Sequence, residues 1–414
     1  MGAPKGTLHL YAAPHDRAAY ELRDFLTRAV VRFESVTIAT EADADEHLHV
    51  PLAEAGLPIV EMPDGSFVRE ATVEKIGRAL GWITAPRLQE YDLSIFGAGP
   101  AGLSAAVYAA SEGLSVVVVE KDAIGGQAGT SSLIENYLGF PGGIGGADLA
   151  ERARQQAVAF GAEFIVLREG LGGSFSEHGM RGVLADGTTI EARSNICATG
   201  VEWRRLGLDG EDRLLGCGLY YGAGTSEASE CAGEDVLVVG GANSAGQAAM
   251  NLAAHAASVT MVVRGPSLSA TMSSYLAERI AAEPSIRVQY STRVEGLLGD
   301  ERFEGAVLEG PDGRAEHAAG RMFVCIGGDP HTDWALPTPI ARDAKGYLIT
   351  GPDLERGHLE GNWTLDRAPY YLETNVPGCF AAGDVRAGSV KRVASAVGEG
   401  AMAVTFAHRY LASL

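Results

Sequence analysis

Two stretches of this chain repeat one layout and restrict the fold more than anything else in it. The first is "YDLSIFGAGPAGLSAAVYAASEGLSVVVVEK", the second "DVLVVGGANSAGQAAMNLAAHAASVTMVVRG". Each reads as an apolar strand, a glycine-rich turn, an alanine-rich helix and a second apolar strand. A parallel sheet covered by helices on both faces has this texture. In the first unit Gly97 permits the tight turn, Gly99 lets backbone approach a pyrophosphate, and Gly102 lets the helix pack on the sheet. The helix start, with Pro100 and Ala101, offers free N–H groups and a positive dipole end to phosphates. Glu120, at the end of the second strand, is spaced to accept from ribose hydroxyls, with Lys121 beside it. Two such units imply two nucleotide sites in one α/β chain.

Composition excludes several classes of function. A formal charge of -20 disfavours nucleic-acid and anionic-membrane partners. Apolar runs stop well short of a membrane span, and the N-terminus lacks the order of a secretion signal, so a cytoplasmic protein is expected. Five scattered cysteines (Cys197, Cys217, Cys231, Cys325 and Cys379) do not make a disulfide framework. His9, His15, His47 and His49 have no metal-ligand spacing, so no metal is expected.

Residues 7 to 82 form a separate pattern. "TLHLYAA" alternates like a strand, and Ala19, Leu22, Phe25, Leu26 and Ala29 share one face of a helix. "SVTIAT" reads as a strand, "LPIVEMPDGSFVRE" as a hairpin turning at Pro63 to Gly65, and "ATVEKIGRALGW" as a closing helix. This order resembles a thioredoxin fold. Its first loop, "APHDRA", has no cysteine where that fold would hold its pair, so a degenerate, redox-silent docking module is expected.

A second resemblance rests on ordered motifs: Gly-Ala-Gly-Pro-Ala-Gly, "GGQ" (Gly125 to Gln127), "IENYLGFP" (Ile134 to Pro141), "ATG" (Ala198 to Gly200) and "FAAGD" (Phe380 to Asp384). Residues 91 to 414 resemble the low-molecular-weight thioredoxin reductases. The resemblance implies two Rossmann-like, three-layer nucleotide-binding domains of that type, behind the small thioredoxin-like α/β domain. The expected boundaries are 1–83 for the thioredoxin-like domain, 84–91 for a linker, 92–208 and 331–414 for a split FAD domain, and 209–330 for an inserted NAD(P) domain. It also implies FAD held by the first glycine turn, Gly126, Gln127, Asn136, Thr199, Gly200, Gly383 and Asp384, with Lys391, Arg392 and Val393 near the isoalloxazine. NADPH, or NADH in its place, would bind Gly240, Gly241, Ala242, Asn243, Ser244, Ala245, Arg264, Ile326 and Gly327. Two departures matter here. Ala242 replaces a glycine of the turn, and Arg264 alone remains of the family's basic cluster for the 2′-phosphate.

Between the two units lies "GCGLYYGAGTSEASECAG". Counting back from Gly240, the family's redox cysteines fall on Ala223 and Ser226. Neither side chain does dithiol chemistry, and a serine needs activation even as a nucleophile. Glu227, followed by Ser226 and Tyr221, is the candidate acid/base group, with Tyr220 and Tyr221 near the flavin face or packed in an interdomain seam. Cys217 and Cys231 flank the site; a pair needs Cα atoms within about 7 Å, and free buried thiols are the commoner case. "DRAPYY" (Asp366 to Tyr371) reads as an aromatic edge packed on the flavin domain.

These features point to an FAD-dependent oxidoreductase passing reducing equivalents from NAD(P)H to a small molecule or small redox protein, as a homodimer. The alternatives are a flavin-bound redox sensor without turnover and a thiol route through Cys217 and Cys231. The chain also looks like a bacterial subgroup of thioredoxin-reductase-like proteins, with flavodoxin and ferredoxin reductases of this scaffold as cousins.

Overall fold

The computed structural model describes residues 6–176, 179–222 and 224–414. The chain divides into two compact units. One comprises the residues up to Leu80, Thr130–Leu133 and Trp203–Gly327; the other comprises Gly81–Gly129, Ile134–Glu202 and Gly328–Leu414.

The N-terminal part of the first unit contains β1 (Leu8–Ala12), α1 (Arg17–Arg28), β2 (Phe33–Thr37), α2 (Glu41–Leu48), β3 (Ile59–Glu61), β4 (Phe67–Val68) and α3 (Val73–Ala79). Its sheet runs β2-β1-β3-β4. Strand β1 is parallel to β2, with Leu8 opposite Phe33, and antiparallel to β3, with Leu10 opposite Val60. Strands β3 and β4 make the expected hairpin, and a cis peptide bond precedes Pro58. Asp16 caps α1 by accepting from the Ala18 and Ala19 amides, which supplies partners that a helix start lacks. The helix buries Ala19, Leu22, Phe25 and Leu26, while Ala29 ends it as a half-buried C-cap. Each large apolar side chain sealed this way contributes roughly 1.5–3 kcal/mol.

The second unit is built on β5 (Tyr91–Phe96), α4 (Pro100–Ser111), β6 (Val116–Glu120), α5 (Gly146–Ala159), β7 (Glu163–Val166), β8 (Gly170–Ser176), β9 (Gly179–Leu184) and β10 (Thr189–Cys197). Its sheet runs β7-β6-β5-β10-β9-β8. Strand β10 changes partners along its length: Thr189 to Ala192 pair antiparallel with β9, whereas Ala192 to Cys197 run parallel to β5. Strand β6 is buried at every position, as its run of valines requires of a strand covered on both faces.

After the two-residue strand β11 (Glu202–Trp203), the chain continues through α6 (Glu211–Leu214), β12 (Leu219–Tyr221), β13 (Asp235–Val239), α7 (Asn243–Ala253), β14 (Ser258–Val263), α8 (Ser274–Ala282) and β15 (Ile286–Tyr290). The antiparallel strands β16 (Arg293–Leu298), β17 (Gly305–Gly310) and β18 (Gly313–Ala318) follow, then β19 (Arg321–Val324). The parallel sheet here is ordered β12-β19-β13-β14-β15. Its core sets Val236, Val238, Val259, Met261 and Phe323 against Ala245, Ala248 and Leu252 of α7.

Strand β20 (Gly328–Asp329), α9 (Arg356–Leu359), β21 (Cys379–Ala381) and α10 (Val393–Leu411) complete the chain. Strand β21 pairs parallel with β10, and α10 packs on α4, where Ser104 Oγ donates to the Val397 carbonyl over 2.7 Å. The Asp366–Tyr371 stretch packs within this second unit, with Tyr370 stacked on Phe406 at 5.2 Å. Among the described residues no helix is long and apolar enough to cross a membrane.

Candidate functional site

The β5–α4 turn is shaped by clashes that only glycine avoids. Gly97 has φ +103°, and a Cβ there would lie 2.3 Å from the Ala198 carbonyl oxygen. A Cβ on Gly102 would lie 1.8 Å from the Gly97 oxygen. Gly99 is the N-cap of α4, followed by Pro100 and then Ala101 in its first turn. The "GGQ" segment lies directly on this turn: Gly125 N donates to Ala98 O at 2.8 Å, and a Cβ on Gly126 would be 3.1 Å from the Gly99 Cα. Gln127 Nε2 donates to Val201 O at 2.8 Å.

Glu120 braces the same turn. Its Oε2 accepts from Ala98 N at 2.7 Å and its Oε1 from Asp122 N at 3.0 Å. This bracing role was not legible in the motif. Lys121 is paired with Glu202. Beside them opens a cavity of about 300 Å³, lined by Phe96, Gly97, Glu120, Lys121, Thr199 and Trp334. The Thr199 hydroxyl is buried without a protein partner. A buried hydroxyl left unpaired calls for a ligand or water to satisfy it. Gly200, next in the chain, takes φ +67°.

The Gly-Asp turn near the C-terminus adjoins the start of α4. A Cβ on Gly383 would be 2.9 Å from the Ala101 Cβ. Glu399 holds this turn, accepting from Gly383 N at 2.7 Å and pairing with Arg386 at 2.5 Å. Burial raises the Asp384 carboxyl above its ordinary range, with Lys391 opposing the shift. Lys391 Nζ donates to Asp384 O at 2.6 Å and sits over the Tyr347 ring. Arg392 and Val393 are the N-cap and first residue of α10. Asn136 stands exposed on the loop after Ile134. A glycine turn, a positive helix end, an acid and an unpaired hydroxyl thus suit a dinucleotide.

In the first unit Gly240 makes the corresponding turn, with φ +142° and a hypothetical Cβ 2.4 Å from the Cys325 oxygen. Gly241 is closed in by Val263. Ala242 is the N-cap of α7 in extended backbone, φ −103° and ψ −179°, a conformation any residue adopts. Two tethers that motif spacing does not reveal close over this turn. Thr271 Oγ1 donates to Gly241 O at 2.6 Å, and Asn243 exchanges hydrogen bonds with Ser273 at 2.8 and 3.1 Å. Ser244 and Arg264 are exposed, whereas Ala245 is fully buried in the helix–sheet packing. Ile326 is half-buried and Gly327 takes φ +90°.

Ser226 Oγ donates to Glu227 Oε1 over 2.6 Å, and Glu227 is 2% exposed. Burial pushes this carboxyl up to about 8, against the pull of the Ser226 hydrogen bond. Thr225 Oγ1 donates to Thr130 O at 2.6 Å, and Gly224, at φ +62°, lies too close to the Phe323 ring for any side chain. Ala223 lies outside the described residues. Tyr220 is buried between Tyr20, at 5.0 Å, and Phe323, at 5.2 Å. The Tyr221 hydroxyl donates to Glu211 and accepts from Leu206 N at 2.9 Å, with Arg205 over its ring. That hydroxyl is therefore tied into a structural network. Cys217 Sγ donates to His15 O and Cys231 Sγ to Glu227 O, and both cysteines are free thiols.

The family model described as pyridine nucleotide-disulphide oxidoreductase matches residues 91–400. The chain belongs to this family. Its pyridine nucleotide-disulphide oxidoreductase portion is 35% identical to a thioredoxin reductase of Treponema pallidum over 331 residues, covering 78% of this chain and 98% of that protein. It is 32% identical to the thioredoxin reductase of Listeria monocytogenes over 329 residues, 78% of this chain and 95% of that one. Among solved structures, Lactococcus lactis thioredoxin reductase superposes with a TM-score of 0.69 at 27% identity, covering 78% of this chain and all of that one. The T. acidophilum enzyme gives 0.69 at 28% identity, over 79% and 99%. The α/β reading, with Rossmann-like sheets of the thioredoxin reductase type, is thereby borne out for this family member. Residues 1–90 lie before the matched region.

Proposed function

We propose that this protein is an FAD-dependent NAD(P)H oxidoreductase that delivers electrons to a small-molecule or small redox-protein acceptor without a Cys-x-x-Cys dithiol. The observation that carries the reading is the Ser226–Glu227 pair: a buried, hydrogen-bonded acid beside the position where relatives of the thioredoxin reductase kind place a cysteine. Those relatives use FAD and NADPH, and FAD when bound supplies the two-electron chemistry. The β5–α4 turn, Glu120 and Thr199 would hold the pyrophosphate and adenosine end, while Gly126, Gln127, Asn136, Gly200 and Gly383 to Val393 would hold the rest. The Gly240 to Ala245 turn, Ile326 and Gly327 would hold the pyridine nucleotide, with Arg264 favouring a 2′-phosphate.

Glu227 would act as the acid/base group. With its carboxyl raised to about 8, it carries a proton at neutral pH and can give it to a nearby acceptor. Ser226 orients that carboxyl through its hydrogen bond, and Tyr221 positions the segment through Glu211. The thiol route through Cys217 and Cys231 is disfavoured, since each sulfur is hydrogen-bonded to a different carbonyl. The strand order and helix placement of residues 7–82 support the degenerate thioredoxin-like reading. The domain limits given above, a homodimer and a cytoplasmic location complete the proposal.

The test is an anaerobic titration of the purified protein with NADPH and with NADH, following flavin absorbance. Rapid bleaching, with reoxidation by an added acceptor, is expected. Bleaching by dithionite alone would favour the sensor reading, and colourless protein that refuses FAD would overturn both.

A further inference from the structure

The N-terminal module rests on the segment that carries Ser226 and Glu227, and the redox reading gives this contact no role. Cys217 Sγ meets the His15 carbonyl at 3.2 Å, and Arg17 Nη1 donates to Asp212 O at 3.4 Å. Gly216 is approached so closely by Arg17 and Tyr20 that an added Cβ would lie 3.2 Å from each side chain. Tyr20 of α1 lies against Tyr220, joining the core of the nucleotide-binding sheet. Arg23, only 8% exposed, pairs with Glu230 at 3.2 Å. Anchors therefore come from the loop before α1 and from two successive turns of the helix. Their partners span residues 212 to 230.

We propose that the N-terminal module is a built-in protein partner: through His15, Arg17, Tyr20 and Arg23 it occupies the face bearing Ser226 and Glu227 and excludes other proteins from it. The aromatic pair supplies the apolar centre of this contact and the Arg23–Glu230 pair its charged border, the division found in protein interfaces generally. The ionisable groups facing Glu227 are Asp24, Arg23 and Tyr20 from α1, Glu230 and Cys231 on its own segment, and Tyr220 on β12. With Asp24 and Glu230 both acidic, the seam suits a neutral Glu227 and would open more readily once that group ionised. The proposal narrows the acceptor of the redox reading at this face to a small molecule, and it rests on that reading only in what Ser226 and Glu227 are said to do.

The test uses full-length holoprotein and two readouts independent of turnover: alkylation of Cys217 by N-ethylmaleimide, and hydrogen exchange of residues 17–28 and 212–231. Arg23→Glu places a carboxylate opposite Glu230. It is expected to raise both readouts about tenfold or more, while buried Cys325 stays unlabelled as a check on folding. Adding Glu230→Arg, which also brings this side chain against Arg321, is expected to restore part of the protection. Should Arg23→Glu fail to fold, Arg17→Glu, at a half-exposed side chain that faces the Asp212 carbonyl, is expected to raise the same two readouts several-fold. Cys217 labelling and exchange that stay the same in the native chain and in every folded variant would overturn the proposal. Flavin content and NADPH bleaching, measured on the same samples, report on the proposed function separately.

Discussion

The Ser226 hydroxyl reaches Glu227 Oε1 at 2.6 Å inside a site that leaves the carboxyl nearly no contact with water. One hydrogen bond offsets only part of the desolvation of a carboxylate, so the neutral acid is the favoured form. The folded protein therefore keeps this proton up to about pH 8, whereas the unfolded chain releases it near 4.5. Between those values the unfolded state binds fewer protons, and Glu227 lowers stability as pH rises, at about 1.4 kcal/mol per pH unit. Glu227→Gln removes this slope. Urea unfolding at pH 5 and pH 8 is expected to show the variant gaining on the native protein at the higher pH. Its acceptor turnover should fall and lose its decline above pH 8.

Gly97 and Gly102 face backbone carbonyls at 2.3 and 1.8 Å from a hypothetical Cβ, and backbone cannot swing aside as a side chain can. Gly97→Ala or Gly102→Ala is expected to destabilise by about 1–3 kcal/mol or more. Purified variants should carry little or no flavin, as read from the absorbance ratio of flavin to protein.

Ala242 adopts extended backbone at an exposed N-cap, where glycine is the better residue. Ala242→Gly is expected to tighten NADPH binding several-fold and to leave thermal stability unchanged or slightly higher. Arg264→Ala should abolish any preference for NADPH over NADH. Calorimetric titration of both nucleotides checks each outcome.

Glu211 gathers four donors: Arg205, the Tyr221 hydroxyl, Gly207 N at 2.7 Å and Leu208 N at 3.2 Å. It is 5% exposed. Glu211→Ala leaves these donors without their acceptor and is expected to cost about 1–3 kcal/mol in chemical denaturation. Glu211→Gln should recover part of that loss.

Both dinucleotide turns were legible because the clashes around Gly97, Gly102 and Gly240 forbid any other residue, so the constraint is written in the sequence itself. Helix α1 was legible for a similar reason, its buried face repeating at helical spacing. Helix α2 was not, since "EADADEHL" buries only Ala44 and carries no apolar stripe. What holds it is local: a capping box between Thr40 and Asp43. Glu120's work on the turn, the Thr271 and Ser273 tethers and the seating of Tyr20 on Tyr220 were equally hidden. These contacts depend on which distant segments the fold brings together, and no periodicity within one segment encodes that.

Strand β21 and helix α10 bear on how this protein is made. The sheet begun by β5 receives its partner beside β10 only from Cys379–Ala381, and the face of α4 that carries Ser104 is covered by α10 only when Val393–Leu411 arrives. On the ribosome, the alanine-rich face of α4 must then wait while more than half of the polypeptide is still being synthesised. The nucleotide-binding sheet of the other unit, from β12 to β19, is complete by Val324 and can consolidate in that interval. Truncation anywhere after that point should yield a half-formed molecule whose exposed α4 recruits chaperones, and rare-codon pauses past residue 324 should be the ones that lower its yield.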